Sequence, residues 1–263
     1  GVWYQRSLKP VVNDFIQSHK SSFCEGLDGE LVVGKPNEEA TFRRTTGDVR
    51  RKKGEPDFKF YVFDHVFYKY LYAERQGRLS AHFYTNDVPD WVVLIKQRTI
   101  HNKEELDAMV KEALDLGYEG LVVRNLNLPY KHGRGTAKQQ QLMRIVPWEK
   151  AEAIVIGFEE GRHNTNEAKK NELGRTSRST NAEHMIPNGL LGAFLCRNLS
   201  DGVEFKVGNG DGMTDELRKE IYENQDDYLN QIITYRHKTV GGYDKPRQAQ
   251  YVGIRSPDDM GGE

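Results

Sequence analysis

The sequence predicts a mixed body of helices and strands followed by a small β-barrel. Two short apolar runs bounded by turn residues, 27–34 and 60–66, have the length and composition of strands. A third run, 121–123, directly follows an amphipathic segment, and the order strand, helix, strand is typical of α/β and α+β proteins. After Trp148 several short strands with one helix among them fit a barrel of the oligonucleotide-binding (OB) type.

The composition limits the class of protein. At 263 residues, with 37% hydrophobic and 29% charged residues, the chain can form one large domain or two ordinary ones. No apolar run is long enough to span a bilayer, and no signal-peptide pattern opens the chain, so we expect a cytoplasmic protein without membrane partners. Two cysteines are too few for a disulfide framework or a cysteine-based zinc site.

The charge is unevenly distributed although the formal net charge is only −1. Residues 1–148 carry 23 Lys and Arg against 19 Asp and Glu, whereas residues 149–263 carry 15 against 20. A polyanion is therefore expected to contact local patches of the first part of the chain.

The clearest helix is predicted at residues 103–116. Asn102 can cap its first turn, with Glu105 in the capping-box position, and Gly117 supplies the stop. One apolar stripe runs along it and comprises Leu106, Met109, Val110, Ala113 and Leu114.

Two polar stretches are predicted as loops. Residues 36–58 contain Gly, Pro and a basic cluster at 50–53, and residues 161–188 are rich in Asn, Arg, Ser and Thr. Beyond Pro147, strands are predicted at 191–197, 203–207, 232–237 and 250–254, the first two as a hairpin. Thr214 is predicted to cap a helix that runs to about Leu229. We expect two domains, 1–147 and 148–263.

Candidate functional residues concentrate around the third apolar run. Glu119 precedes this run, which we expect to be a buried strand, and Arg124 ends it. A basic loop bracketed by glycines, 131–138, follows. An acid and several cations on neighbouring strand ends suit a phosphate-bearing ligand with a divalent metal. A salt-bridged sheet edge explains the same residues equally well.

An ordered set of motifs over nearly the whole chain resembles the ATP-dependent DNA ligases, especially the small enzymes of phages and large DNA viruses. Asp28-Gly29-Glu30, Phe63-Asp64 and Glu119-Gly120 resemble three of the family's nucleotide-site motifs. The basic segment 130–138, Tyr-Lys-His-Gly-Arg-Gly-Thr-Ala-Lys, resembles the one that precedes the family's last cationic motif. The opening segment 6–10 resembles the stretch after the family's nucleophile, and the closing motif is matched by Tyr251 to Arg255 with Asp258 and Asp259.

The resemblance implies a fold and an activity. The fold class is α+β, a nucleotidyltransferase (adenylation) domain with antiparallel and mixed sheets, followed by a small OB-fold β-barrel. The implied enzyme is a monomer that uses ATP and Mg²⁺ to seal nicks in duplex DNA, through enzyme-AMP and DNA-adenylate intermediates. Such an enzyme serves DNA replication, repair or recombination.

The resemblance also assigns roles to residues. Glu119 and Arg144 are the catalytic candidates, and Glu30 and Glu119 are the candidate metal ligands. Phe63 is expected to stack on adenine. Taken without the other motifs, a Phe in an apolar strand is also well explained as an ordinary core residue. The full nucleotide-binding set is Arg6, Glu30, Phe63, Glu119, Arg144 and Arg255, the last from the barrel domain. The expected DNA contacts are Arg134, Thr136 and Lys138.

Two departures from the family pattern bear on activity. The family's nucleophile is the lysine of a Lys-x-Asp-Gly motif, which these residues do not contain; Gly26 stands where the nearest lookalike would need the lysine. We therefore expect the adenylation domain to lack its N-terminal segment, and the chain as given not to adenylate itself. The family's Lys-x-Lys motif is matched by Arg144-Ile145-Val146, so an apolar residue replaces the second cation.

Two other functions stay open at this point. An RNA ligase or an mRNA capping enzyme shares the core motifs, although the barrel with its Arg255 ending and the Gly-Arg-x-Thr loop favour the DNA enzyme. A non-catalytic nick-binding protein derived from a ligase is favoured by Val146 and by the missing lysine.

Overall fold

The computed structural model describes residues 1–38, 40–66, 69–238 and 245–255. The chain separates into two compact units, Gly1–Val146 and Pro147–Glu263. Two residues of the closing motif, Asp258 and Asp259, lie outside the described residues.

The first unit contains a three-stranded sheet and a separate pair of strands. In the sheet β1 and β2 are antiparallel and β2 and β3 are parallel, while β4 and β5 form an antiparallel pair of their own. A 3₁₀ turn, Ser22–Cys24, precedes the first strand. The elements are α1 (Asp14–Ser18), β1 (Leu27–Val33), α2 (Thr41–Arg50), β2 (Phe58–His65), α3 (Tyr72–Thr85), β3 (Val92–Leu94), α4 (Lys103–Asp115), β4 (Leu121–Arg124) and β5 (Leu142–Ile145).

The predicted strands at 27–34 and 60–66 and the predicted helix at 103–116 are confirmed to within about two residues. The Asn102 side chain caps α4 by accepting the N–H of Glu105 at 2.8 Å. In β2 the alternate residues Phe58, Phe60 and Val62 are buried in the core. Because successive residues of a strand face opposite sides, Tyr61 and Phe63 face away from that core.

The fully buried carboxylate of Asp64 holds three elements of the first unit together. Arg75 in α3 donates to both of its oxygens, from Nε at 2.8 Å and from Nη2 at 3.1 Å. Arg124 at the end of β4 donates to Oδ2 at 2.6 Å. Buried charges are tolerated only when they are paired and hydrogen-bonded. This ion-paired cluster therefore fixes β2, α3 and β4 relative to one another.

Two predictions for the first unit are wrong. The loop predicted at 36–58 contains α2, a helix whose threonines and glycine favour helix weakly. Its stability comes from packing, because Val49 lies against the core and the N–H of Val33 in β1 donates to Thr45 Oγ1 at 2.9 Å. The strand at 121–123 is only half buried: Val122 is 56% exposed, since the β4–β5 pair has one face toward solvent.

The second unit is a closed barrel with strand order β10-β12-β11-β6-β9. Its core includes Val155, Phe194, Val207, Ile233 and Tyr235, each no more than 1% exposed. The body of mixed sheets and the closed barrel confirm the predicted fold class. The elements are β6 (Glu149–Asn164), β7 (Ala168–Lys170), β8 (Thr176–Arg178), β9 (Met185–Asn198), β10 (Glu204–Gly208), α5 (Asp215–Glu223), α6 (Gln225–Tyr228), β11 (Ile232–Lys238) and β12 (Arg247–Ile254).

The prediction of a long loop at 161–188 is also wrong. The ends of β6 and β9 continue to pair out to Asn164 and Met185, and beyond them β7 and β8 form a small antiparallel sheet. Every residue of β7 and β8 is exposed. These strands bury neither face, so they lack the apolar alternation that would identify them in sequence.

The helix predicted from Thr214 to Leu229 is interrupted. Thr214 caps α5 as expected, accepting the N–H of Leu217 at 3.3 Å. The helix ends at Glu223. The side-chain amide of the next residue, Asn224, donates to the carbonyl of Glu220 at 2.8 Å, and α6 follows as a separate turn. Such local side-chain bonds compete with the helical pattern. Among the described residues, none of the helices is both long and apolar enough to cross a membrane.

Asp64→Asn should lower the free energy of unfolding of the first unit by about 3–5 kcal/mol, because it leaves two buried guanidinium groups without their full partner. The matched control is Asp115→Asn on the surface of α4, where Asp115 pairs with Lys111 in solvent; it should cost no more than about 1 kcal/mol. Urea unfolding followed by tryptophan fluorescence measures both. Equal losses in the two variants would contradict the structural role of Asp64.

Candidate functional site

The structure brings together three of the predicted site residues, Glu30, Glu119 and Arg144. Arg144 in β5 donates from Nη2 to Glu119 Oε2 at 3.3 Å. The Glu30 carboxylate on β1 lies within electrostatic reach of both. Desolvation by the surrounding protein and the negative charge of Glu119 raise the pKa of Glu30, and the positive charge of Arg144 partly offsets this. Two carboxylates and one guanidinium thus share one exposed edge of the first unit.

Gly120 allows Glu119 to reach this edge. Its φ is +140°, a region that side-chain-bearing residues rarely adopt. A Cβ built there would lie 2.1 Å from the carbonyl oxygen of Ile145. Only glycine permits this close approach of the chain to β5, which explains why the carboxylate must be followed by Gly.

A β-bulge interrupts the pairing of β1 and β2 at Phe63. Asp28 pairs with Asp64 and Gly29 pairs with Val62, so Phe63 is the extra residue of β2. A Cβ on Gly29 would lie 2.4 Å from the carbonyl oxygen of Tyr61. Bulges re-aim side chains near functional sites. Here the bulge leaves Phe63 without a partner residue on β1, between the half-buried Tyr61 and the buried Asp64.

Phe63 is half-buried, and the Arg124 guanidinium lies over its ring at 5.0 Å from the centroid. Its backbone carbonyl accepts the side-chain amides of Gln76 and Gln97, both at 2.9 Å, and the hydroxyl of Tyr72 at 3.4 Å. These three residues were not singled out from the sequence. Tyr72 and Gln76 lie one turn apart in α3, and Gln97 follows β3, so no local pattern connects them to Phe63.

Arg124 is not one of the cations free to bind a phosphate. Its side chain is 14% exposed and is committed to Asp64. Asp28 is likewise engaged, since it accepts the hydroxyl of Tyr130 at 2.9 Å. Burial raises the pKa of Asp28, and the hydrogen bond from Tyr130 and the charge of Arg124 oppose that effect.

The basic loop 131–138 presents its predicted DNA contacts to solvent. Arg134, Thr136 and Lys138 are all exposed. Within the described part of the chain, Arg134 and Lys138 form no ion pair. The Thr136 hydroxyl donates to the side-chain oxygen of Gln139 at 3.0 Å, and its carbonyl accepts the N–H groups of Gln139 and Gln140.

Two further predicted site residues, Arg6 and Arg255, lie in the opening segment of the first unit and in the second unit. Arg6 is exposed in a turn closed by the N–H of Leu8 donating to the carbonyl of Gln5 at 2.8 Å. Arg255 belongs to the second unit, just beyond β12, where its Nη1 lies 2.6 Å from Glu152 Oε1.

Comparison with known proteins identifies the family of each part of the chain. Residues 2–142 match the family described as the ATP dependent DNA ligase domain, and residues 186–255 match the DNA ligase OB-like domain. The chain is 26% identical over 227 residues to the DNA ligase of Haemophilus influenzae, covering 86% of this chain and 70% of that protein. It is 26% identical over 139 residues to a DNA ligase of African swine fever virus, covering 52% of this chain and 32% of that protein.

Solved structures show the same fold at low sequence identity. A Lig E DNA ligase matches 89% of this chain and 80% of its own, with a TM-score of 0.61 and 20% identity. A structure named Pmar-Lig_Pre matches 87% of this chain and 50% of its own, with a TM-score of 0.62 and 19% identity. Since one family model spans more than half of the chain and a second matches its barrel, the chain belongs to the ATP-dependent DNA ligase family.

Proposed function

We propose that this chain binds ATP and nicked duplex DNA and forms the nucleotide site of an enzyme that seals nicks. The observation that carries the proposal is the meeting of Glu30, Glu119 and Arg144 at one exposed edge. The relatives carry the name DNA ligase, which favours DNA over RNA as the substrate. In this proposal residues 1–147 are the adenylation domain and residues 148–263 the OB-fold domain, and the protein acts as a monomer in the cytoplasm.

Mg²⁺ fits the carboxylates of this edge. It binds through one or two protein carboxylates, several waters and the phosphates of its substrate. Glu30 and Glu119 supply such a pair. Burial, and after it the negative charge of Glu119, raise the pKa of Glu30, and a bound cation would oppose both effects by favouring the carboxylate. Among the described residues, no group of three or more His, Cys, Asp or Glu forms an all-protein metal cage. The ion would neutralise phosphate charge, while Glu30 and Glu119 orient it.

The chain's own cations and rings would position the nucleotide. Arg144 can bind phosphate oxygens in a bidentate manner, and its ion pair with Glu119 fixes its direction. Phe63 offers a half-buried ring for adenine, held through its carbonyl by two glutamines. Arg6 and Arg255 would add phosphate contacts. Val146, beside Arg144, offers no charge where the family has a second cation.

DNA would bind through the basic loop. Arg134 and Lys138 are exposed cations outside any ion pair among the described residues, and phosphate contacts by such groups release counterions and provide affinity that falls with salt. Thr136 would add a hydrogen bond to the backbone. A non-catalytic nick-binding protein would use the same loop, so DNA affinity alone does not distinguish it from an enzyme.

The proposal predicts that the carboxylates at the edge interact electrostatically. Glu119→Gln should lower the pKa of Glu30, because it removes a negative charge that raises it, and Arg144→Gln should raise that pKa further. Metal-free NMR titration of ¹³C-labelled glutamates measures both shifts. Glu112→Gln on α4, where Glu112 pairs with Arg98, is the control and should change nothing. A Glu30 pKa insensitive to Glu119 would mean that the two carboxylates cannot share an ion.

The activity itself can be tested by covalent labelling. The 263-residue chain contains no Lys-x-Asp-Gly, and a lysine must be neutral to attack the α-phosphate of ATP. Incubated with α-labelled ATP and Mg²⁺, it should carry no acid-labile label.

Joined to a Lys-x-Asp-Gly segment from a member of the family, the chain should be labelled and should seal nicked DNA. Glu119→Ala should abolish the labelling, and Val146→Lys should raise its rate. Acid-labile label on the unextended chain, or full labelling of the extended Glu119→Ala variant, would contradict the proposal.

A further inference from the structure

Tyr130 lies where the basic loop leaves the body of the first unit. Its hydroxyl donates to Asp28 Oδ2 at 2.9 Å, a contact between residues 102 positions apart in the chain. Asp28 belongs to β1 and is separated from Glu30 only by Gly29, whose fit against β2 leaves no room for a side chain. The hydrogen bond therefore joins the base of the loop to the strand that carries a nucleotide-site carboxylate.

The segment before Tyr130 is anchored by backbone hydrogen bonds. The N–H groups of Tyr72 and Ala73 in α3 donate to the carbonyls of Leu128 and Leu126, each at 3.1 Å. Arg75, the buried partner of Asp64, also donates from Nη1 to the carbonyl of Leu128 at 3.4 Å. These bonds, with a bridge between Leu71 and Pro129, hold the chain up to residue 129, and the Tyr130 hydroxyl adds a contact with β1.

The other end of the loop leads into the same site. A Cβ on Gly135 would lie 3.1 Å from the carbonyl of Leu142, so the loop folds back closely on β5. Arg144, the ion-pair partner of Glu119, follows Leu142 by two residues in β5. A movement of the loop on binding DNA would thus act on Glu30 through Tyr130 and Asp28, and on Glu119 through β5.

We infer that Tyr130 is a positioning residue whose hydrogen bond to Asp28 makes nucleotide binding and DNA binding mutually dependent. This inference rests on the proposed function. Coupling between two binding sites is reciprocal, so DNA must change the affinity for nucleotide by the same factor as nucleotide changes the affinity for DNA. Tyr130→Phe removes the hydroxyl and keeps the ring that packs beside Arg75 and His132.

The test measures the affinity of the 263-residue chain for ATP with Mg²⁺, alone and with saturating nicked duplex. In the natural sequence DNA should tighten nucleotide binding about fivefold or more, within the usual range for coupled sites. In Tyr130→Phe that factor should fall to near one, while the affinity for ATP without DNA stays close to that of the natural sequence. Asp28→Asn, which keeps an oxygen to accept the hydroxyl, should retain most of the coupling.

The matched control is Tyr228→Phe, which removes a tyrosine–carboxylate hydrogen bond of similar length, 2.7 Å to Glu220, in the second unit. It should leave the coupling unchanged. If ATP and DNA bind the natural sequence independently, or if Tyr130→Phe keeps the full coupling, the inference is wrong although the proposed function stands. If the natural sequence binds neither ligand, the proposed function itself fails.

Discussion

The ion-paired cluster around Asp64 is the constraint on which the first unit depends. A fully buried carboxylate is unfavourable by itself, and it persists because Arg75 and Arg124 reach it from α3 and β4 with charge-assisted hydrogen bonds. These two arginines are consequently unavailable for a ligand. Each also extends the cluster toward the site: Arg124 covers the ring of Phe63, and Arg75 holds the segment that leads to Tyr130. The cluster of Asp64, Arg75 and Arg124 is thus structural, and it positions residues that we propose to act in ligand binding.

Around that cluster, glycines and a bulge decide where the functional side chains lie. Gly29 lets β1 press against β2 beside the bulge at Phe63, and Gly120 lets the chain carrying Glu119 pass over β5. In both places a side chain would collide with a backbone oxygen, which cannot move aside as a flexible side chain would. This explains the glycine in Asp28-Gly29-Glu30 and in Glu119-Gly120. In each motif the neighbouring glutamate reaches its position because the glycine has no side chain to collide with the adjacent strand.

Sequence reasoning succeeded where the signal is local. The cap of α4, the buried strands and the barrel strands follow from periodicity and capping residues close in sequence. It failed for α2, whose stability comes from packing, and for β7 and β8, which bury no face. The pairing of Glu119 with Arg144 follows motifs that are visible in sequence, whereas the glutamines that hold Phe63 and the Tyr130–Asp28 bond depend on contacts between distant segments. Contacts between distant segments produce no periodic pattern in the sequence by which they could be predicted.

The central claim is that Glu30, Glu119 and Arg144 form one site for a nucleotide and its divalent ion. Mn²⁺, a paramagnetic substitute for Mg²⁺, tests it most directly when added with ATP to the isotope-labelled chain, because it broadens the NMR signals of nearby groups. The account predicts that the signals of Glu30, Glu119 and Arg144 broaden first and that those of Glu112 on α4 and of the barrel core stay sharp. Broadening that spares β1, β4 and β5 and is centred elsewhere would contradict it.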